Sequence, residues 1–270
     1  MYIDLVTGQK GGVGKTLFAR ALAAWLNEQR STWAGIDTDQ ENKFFSHDYP
    51  REVSQHTLYD ETGRLNESAI NDIVNAIAAA MESGTVERFV VDMGAAQLNA
   101  LFGAFRETGL VNEIGGRLNL MLYYLLLDEP QSLSTLKNNV ALLDDIAGAQ
   151  WVVVKNQWKG RLAGYEDGRI IRPEMQARNA IEFVMPKMSD PENAVKVLDT
   201  SGLAMAEFIA DRDPQRWAYR GRVKSFLDAM FVEFRQHRIA VPSLTAAAVP
   251  ASKTGASSHA AASAGDAGLA

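Results

Sequence analysis

Nine residues near the start of the chain, Gly8-Gln9-Lys10-Gly11-Gly12-Val13-Gly14-Lys15-Thr16, constrain the fold more than any other segment. They follow a β-like run at Tyr2–Val6 and precede a helical pattern that begins at Leu17. A strand that empties through glycines into a helix sets a row of backbone N–H groups at a helix N-terminus, aimed at one spot. That arrangement is a phosphate cradle. The general spacing G-x-x-x-x-G-K-[ST] is met by Gly8, Gly14, Lys15 and Thr16. Lys15 is then placed for β- and γ-phosphates and the Thr16 hydroxyl for Mg²⁺. A second lysine, Lys10, sits inside the loop and is not required by the general motif.

The rest of the chain agrees with that start. Apolar runs at Thr32–Ile36, Arg88–Val91, Leu118–Leu127, Trp151–Val154 and Ile181–Met185 are nearly continuous in hydrophobicity, as strands buried on both faces should be. Helical spacing occupies Leu17–Gln29, Ser68–Met81, Leu98–Arg106 and Ser132–Ile146 between them. Alternation of this kind predicts an α/β fold: a doubly wound, mainly parallel sheet with helices on both faces and ligands at the strands' C-terminal ends. A last helix is expected over Pro214–His237, with Val223, Phe226, Leu227, Met230, Phe231 and Phe234 on one face. Packing of that face on the sheet is the plainer reading, and partner binding the sharper one. Residues 1–240 are expected to form one domain. From 241 to 270 the sequence is dominated by Ala, Ser, Gly, Thr and Pro without an aromatic residue, the composition of a disordered tail.

Composition excludes several classes. None of the 270 residues is cysteine, which removes disulfide frameworks, thiolate zinc sites and cysteine-held iron–sulfur clusters. The net charge of −6 argues against a surface coated in basic residues. The start of the chain reads as a strand containing Asp4, not as a signal peptide, and leaves no room for an N-terminal DNA-reading module. The longest apolar run, Leu118–Leu127, is about half of what a membrane helix needs, so a cytoplasmic chain without membrane contact is expected. His47, His56, His237 and His259 have no metal-ligand spacing.

A phosphate cradle that hydrolyses a triphosphate needs acids as well. Phe89-Val90-Val91-Asp92 is an apolar strand closing on a carboxylate, in the position of an acid that holds Mg²⁺ through water; the plain alternative is an Asp opening an ordinary βα loop. Asp37 closes another strand and Asp39 follows two residues on. That pair can divide the labour between the metal shell and the attacking water.

Together these residues resemble the ParA/MinD superfamily of ATPases. Lys10-Gly11-Gly12-Val13-Gly14-Lys15-Thr16 matches its deviant Walker A loop, Asp37-x-Asp39 its first switch acids, Asp92 its Walker B acid, and Asn156 a strand-end asparagine. The resemblance covers about residues 1 to 210. It implies ATP and Mg²⁺ as cofactors, with Gly11, Gly12, Val13, Gly14, Lys15, Thr16 and Leu17 around the phosphates. Asn156 and Pro186 fall on the adenine side, Thr16, Asp37 and Asp92 about the metal, and Lys10, Lys15 and Asp39 in catalysis. Lys10 resembles the signature lysine that reaches the partner's phosphates across an ATP-bridged homodimer. Three departures stand out. Leu17 replaces a second Thr. Asp39-Gln40-Glu41-Asn42 lacks the usual proline and glycine. The second switch reads Asp92-Met93-Gly94-Ala95-Ala96-Gln97. That last form is similar to the plasmid-borne branch with conjugal-transfer proteins of the TraL type.

The resemblance therefore implies a slow, partner-stimulated ATPase that works as a dimerising switch in plasmid partition, DNA positioning or conjugal transfer. Two other classes share the fold: an ATP-dependent ligase such as an amidoligase or dethiobiotin synthetase, and a MinD-like positioning protein at a membrane. Arg216, Arg220, Arg222 and Lys224, with Arg212, form the one concentrated basic stretch of the sequence. It reads equally well as a nonspecific DNA contact and as a solvated helix face.

Overall fold

The computed structural model describes residues 1–40, 42–146 and 148–240. Its first half runs β1 (Tyr2–Thr7), α1 (Lys15–Glu28), β2 (Trp33–Asp37), α2 (Phe44–Asp48), β3 (Val53–Gln55), α3 (Glu67–Ser83), β4 (Arg88–Asp92) and α4 (Leu98–Glu107). The second half runs β5 (Asn119–Leu126), α5 (Pro130–Leu142), β6 (Ala149–Asn156), α6 (Ala163–Glu166), α7 (Ile171–Ala177), β7 (Ile181–Met185), α8 (Pro191–Ser201), α9 (Met205–Ala210) and α10 (Trp217–Gln236). The strands make one seven-stranded sheet in the order β3-β2-β4-β1-β5-β6-β7. Every pairing is parallel. The doubly wound sheet read from the sequence is the fold of the chain.

Two apolar layers cover the sheet. Side chains from α1, α2, α8, α9 and α10 fill one face, and those from α3, α4, α5, α6 and α7 fill the other. The α10 stripe lies in the first layer: Val223, Phe226, Leu227, Met230 and Phe234 are buried, and Phe231 packs on Trp25 of α1 with ring centroids 5.0 Å apart. Each of these buried side chains contributes about 1.5 to 3 kcal/mol. The plainer reading of that helix is therefore the right one. The Trp25 indole N–H donates to the Ile239 carbonyl at 2.7 Å and pins the chain just beyond α10. The 241–270 tail lies outside the described residues.

Asp4, met in the sequence only as a polar interruption of a strand, is buried under an ion pair. Arg88 Nε donates to Asp4 Oδ2 at 2.8 Å, its NH2 donates to Oδ1 at 2.5 Å, and the Tyr123 hydroxyl donates to Oδ1 at 3.0 Å. Removing one partner of such a pair strands a charge in the core. Arg88→Met should therefore cost about 3 to 5 kcal/mol in urea unfolding, and Asp4→Leu added to it should restore most of the loss. An Arg88→Met loss under about 1 kcal/mol would show that Asp4 reaches water instead.

The structure extends or corrects several boundaries. The strand β3 is only three residues long and carries too little pattern to be seen. Beyond β6, where the sequence shows no helical spacing, the short α6 buries Tyr165. The last helix begins at Trp217, after a 3₁₀ turn at Pro214–Arg216.

Candidate functional site

The order of the strands brings the chemistry together at one edge. The ends of β1, β4 and β2 are adjacent, with Val6 in register with Asp92, and Asp92 in register with Asp37. The loop after β1 therefore opens directly onto both acids. Gly12 and Gly14 hold φ of 72° and 94°, values a side chain would strain, and the loop turns into α1 there. Gly14 caps α1 without a side-chain hydrogen bond, and the first intrahelical bond runs from Phe18 N–H to the Gly14 carbonyl. The amides ahead of Phe18 in that turn therefore have no intrahelical acceptor and suit an anion. Around Gly11 and Gly12 there is open space. Leu17, where the family pattern has a second hydroxyl, is buried in the core.

The two lysines of the loop part company. Lys15 is buried, and its ammonium donates to the Lys10 carbonyl at 3.2 Å. Burial lowers its pKa, while Asp92 and Asp39 pull it back up. Lys10 is 60% exposed, and its ammonium lies 3.2 Å from the Glu129 carboxylate at the start of α5. One loop thus carries a cation turned into the site and another turned to the surface.

Asp92 is the most perturbed acid here. Burial, then the neighbouring Asp37, pushes it up to about 8, with the Thr16 hydroxyl and Lys15 pulling the other way. Neither of its buried oxygens accepts a hydrogen bond of normal geometry within the described residues. A dry carboxylate beside a hydroxyl and an ammonium is a site short of positive charge, which suits a hydrated Mg²⁺. Among the described residues no three acids or histidines cluster tightly enough to hold a metal by themselves. Mg²⁺ in such a site would lean on phosphate oxygens and Thr16, with Asp92 acting through water.

Asp37 is placed differently. Its Oδ1 accepts the Asp39 N–H at 3.0 Å, and its Oδ2 accepts the Ser46 N–H at 3.0 Å and the Ser46 hydroxyl at 3.1 Å. Burial raises its pKa, and those hydrogen bonds hold it down. In the described structure Asp37 organises the loop that carries Asp39. Asp39 itself is half-buried, and its Oδ1 accepts the Asn42 N–H at 3.2 Å.

Residues 4–149 match the family model described as the CobQ/CobB/MinD/ParA nucleotide binding domain. The chain belongs to this family. A solved structure with the family fold is the cell division ATPase MinD of Pyrococcus furiosus. It has a TM-score of 0.52 and 14% identity over 87% of this chain and 99% of that one. Another is the septum site-determining protein MinD complexed with Mg-ADP from Pyrococcus horikoshii OT3, with a TM-score of 0.51 and 16% identity over 92% of this chain and 100% of that one. At these identities the likeness shows the fold. No curated protein sequence matches the chain.

The family's remaining site positions serve the architecture in visible ways. The Asn156 side chain donates to the Val13 carbonyl at 2.8 Å and accepts the Trp158 N–H at 2.9 Å, so it braces the end of β6 against the phosphate loop. Pro186 follows β7 and lines a shallow groove of about 240 Å³ shared with Ala218, Gly221 and Arg222 of α10. Among the basic residues, Arg216 pairs with Asp211 at 2.9 Å, Arg222 with Asp190 at 2.7 Å and Lys224 with Asp228 at 2.6 Å. Arg220 Nε donates to the Ile209 carbonyl at 3.1 Å. Three of the five cations of the stretch, counting Arg212, thus already face acids, which lowers its net charge for nucleic acid. Among the described residues no helix is long and apolar enough to cross a membrane.

Sequence reasoning passes over Thr38 and Gln97, both buried beside the acids. They lie 59 positions apart, Thr38 between the first-switch acids and Gln97 at the end of the second-switch segment, and no local spacing pairs them. Only the register of β2 with β4 brings them together.

Proposed function

We propose that this chain is a Mg²⁺-dependent ATPase that cycles between a monomer and an ATP-bridged homodimer, with a protein partner stimulating hydrolysis. The observation that carries this reading is the division of the two loop lysines. Lys15 is buried against the site's acids, whereas Lys10 is exposed and directed toward Glu129. A monomeric ligase needs one phosphate cation and gains nothing from an exposed second one. A cation that serves a partner's phosphates must be exposed in the monomer.

In this reading the α1 amides and Lys15 bind and orient the β- and γ-phosphates, and Thr16 and Asp92 hold the metal. When bound, Mg²⁺ neutralises phosphate charge and steadies the leaving oxygens. Asp39 orients the attacking water, and Asp37 keeps the Asp39 loop in place through its bonds to the Asp39 and Ser46 amides. Lys10 of each protomer completes the other's site, so hydrolysis depends on assembly much as it does with an arginine finger. The Asp92-Met93-Gly94-Ala95 form of the second loop supports a place in plasmid partition or conjugal transfer. Because Arg216, Arg222 and Lys224 already face acids, we assign cargo recognition to the partner protein.

Specific ATPase activity should rise with protein concentration for the wild type and stay flat, about tenfold or more lower, for Lys10→Ala. Activity independent of concentration and unchanged in Lys10→Ala would reject the dimeric switch in favour of a monomeric enzyme.

A further inference from the structure

The loops that follow β2 and β4 are sewn together by buried hydrogen bonds. The Thr38 N–H donates to the Asp92 carbonyl at 2.9 Å. The Gln97 side chain closes the seam: its Nε2 donates to the Thr38 carbonyl at 3.1 Å, and its Oε1 accepts the Gly94 N–H at 2.9 Å and the Thr38 hydroxyl at 2.5 Å. The Gly94 N–H also lies 3.1 Å from the Thr38 hydroxyl oxygen. Gln97 is 4% and Thr38 1% exposed, so each of these bonds is made away from water, where losing one partner costs most.

The chain gives up local comfort to build this seam. Gln97 stands at the start of α4 and makes no cap hydrogen bond; its side chain folds back over the seam instead. Ala96 before it holds φ of 59°, a left-handed conformation that strains a residue with a Cβ. A Cβ on Gly94 would meet Gln97 Nε2 at 2.5 Å, so glycine there leaves the room the carboxamide needs. A strained turn and a glycine both serve one side-chain placement.

We infer that Gln97 and Thr38 form a latch that positions Asp39 relative to Asp92, so that Gln97 acts on hydrolysis through Asp39 without touching the nucleotide. Asp39 is the residue next to Thr38, and Asp92 is the residue whose carbonyl Thr38 holds. Moving either loop therefore moves the other's acid. The rate effect rests on the proposed ATPase reading; the latch itself does not.

Hydrogen exchange without nucleotide tests the latch first. In Gln97→Leu, which keeps about the same volume, the amides of Thr38, Asp39 and Gly94 should exchange roughly tenfold faster or more, with α1 amides unchanged. Thr38→Val should do the same, and Thr38→Ser should restore protection. Unchanged exchange in both Gln97→Leu and Thr38→Val overturns the latch. With ATP, Gln97→Leu should lower kcat about tenfold while ATP affinity stays within about threefold, and should add no further loss to Asp39→Ala. Equal losses in affinity and kcat, or losses that add to those of Asp39→Ala, overturn the positioning role. A wild type that turns over no ATP rejects the ATPase reading, and the exchange result still decides the latch.

Discussion

Asp92→Asn should make the nucleotide-free protein less sensitive to alkali while abolishing Mg²⁺-dependent nucleotide binding. In the folded chain the Asp92 carboxyl is pushed up to about 8, first by burial and then by Asp37, from an unfolded value near 4. Between those values the folded state holds a proton that the unfolded state has lost. Stability therefore falls as pH rises through that window, and the contribution is fully present only below about pH 4. Asparagine has the same shape and no charge, so the fall should flatten. A tenfold difference in proton affinity between the folded and unfolded states corresponds to about 1.4 kcal/mol. The gap between wild type and variant should therefore change by at least about 2 kcal/mol from pH 5 to pH 8.5. A constant cost of burying the amide drops out of this difference of slopes. Denaturant unfolding at the two pH values checks it. Identical pH dependence in the two proteins would show that Asp92 is hydrated or paired when folded. Mg²⁺-dependent binding of a fluorescent ATP analogue should disappear in the variant.

Lys15→Met should lose nucleotide as well, but with the opposite effect on the empty protein. The ammonium is buried and sits in the field of Asp92 and Asp39. A charged hydrogen-bond donor to phosphate is worth about 1.5 to 3 kcal/mol, so ATP affinity should fall roughly 100-fold. Without it, Asp37, Asp39 and Asp92 face one another with less positive charge between them. The nucleotide-free variant should therefore lose stability more steeply than wild type as pH rises from 5 to 8.5, although replacement by Met also relieves the burial of the ammonium, the larger influence on Lys15. Asp92→Asn added to Lys15→Met should recover part of that loss, because it removes one of the repelling charges. Nucleotide titration by calorimetry and unfolding of the single and double variants check both halves. Full ATP affinity in Lys15→Met would remove Lys15 from the phosphate site.

Much of this site can be read in the chain because it is local. The phosphate loop spans nine consecutive residues between a strand and a helix, and Asp37 and Asp92 each close an apolar run. Strands buried on both faces announce themselves by continuous hydrophobicity, so β1, β2, β4, β5 and β6 are visible in the sequence. The three-residue β3 and the short α6 carry too few periods to register. What the sequence hides is contact across distance. Asp4 looks like a blemish in β1 until Arg88 and Tyr123 are seen around it. Asn156 resembles a nucleotide contact, and the fold adds that its amide props up the phosphate loop. Gln97 reads only as the last residue of the second-switch segment, whereas its side chain is folded onto Thr38. The basic stretch from Arg216 to Lys224 looks cationic until Asp190, Asp211 and Asp228 are placed beside it.

The dimeric switch stands or falls on whether ATP joins two copies of the chain through Lys10. Light-scattering mass on a sizing column, with Mg²⁺ and ATP, measures this for Asp39→Ala, in which hydrolysis is slowed and the bound state accumulates. The switch predicts a dimer for Asp39→Ala and a monomer for Asp39→Ala combined with Lys10→Ala, with both variants still binding ATP. A monomer in both variants at saturating ATP, or a dimer in both, would contradict it.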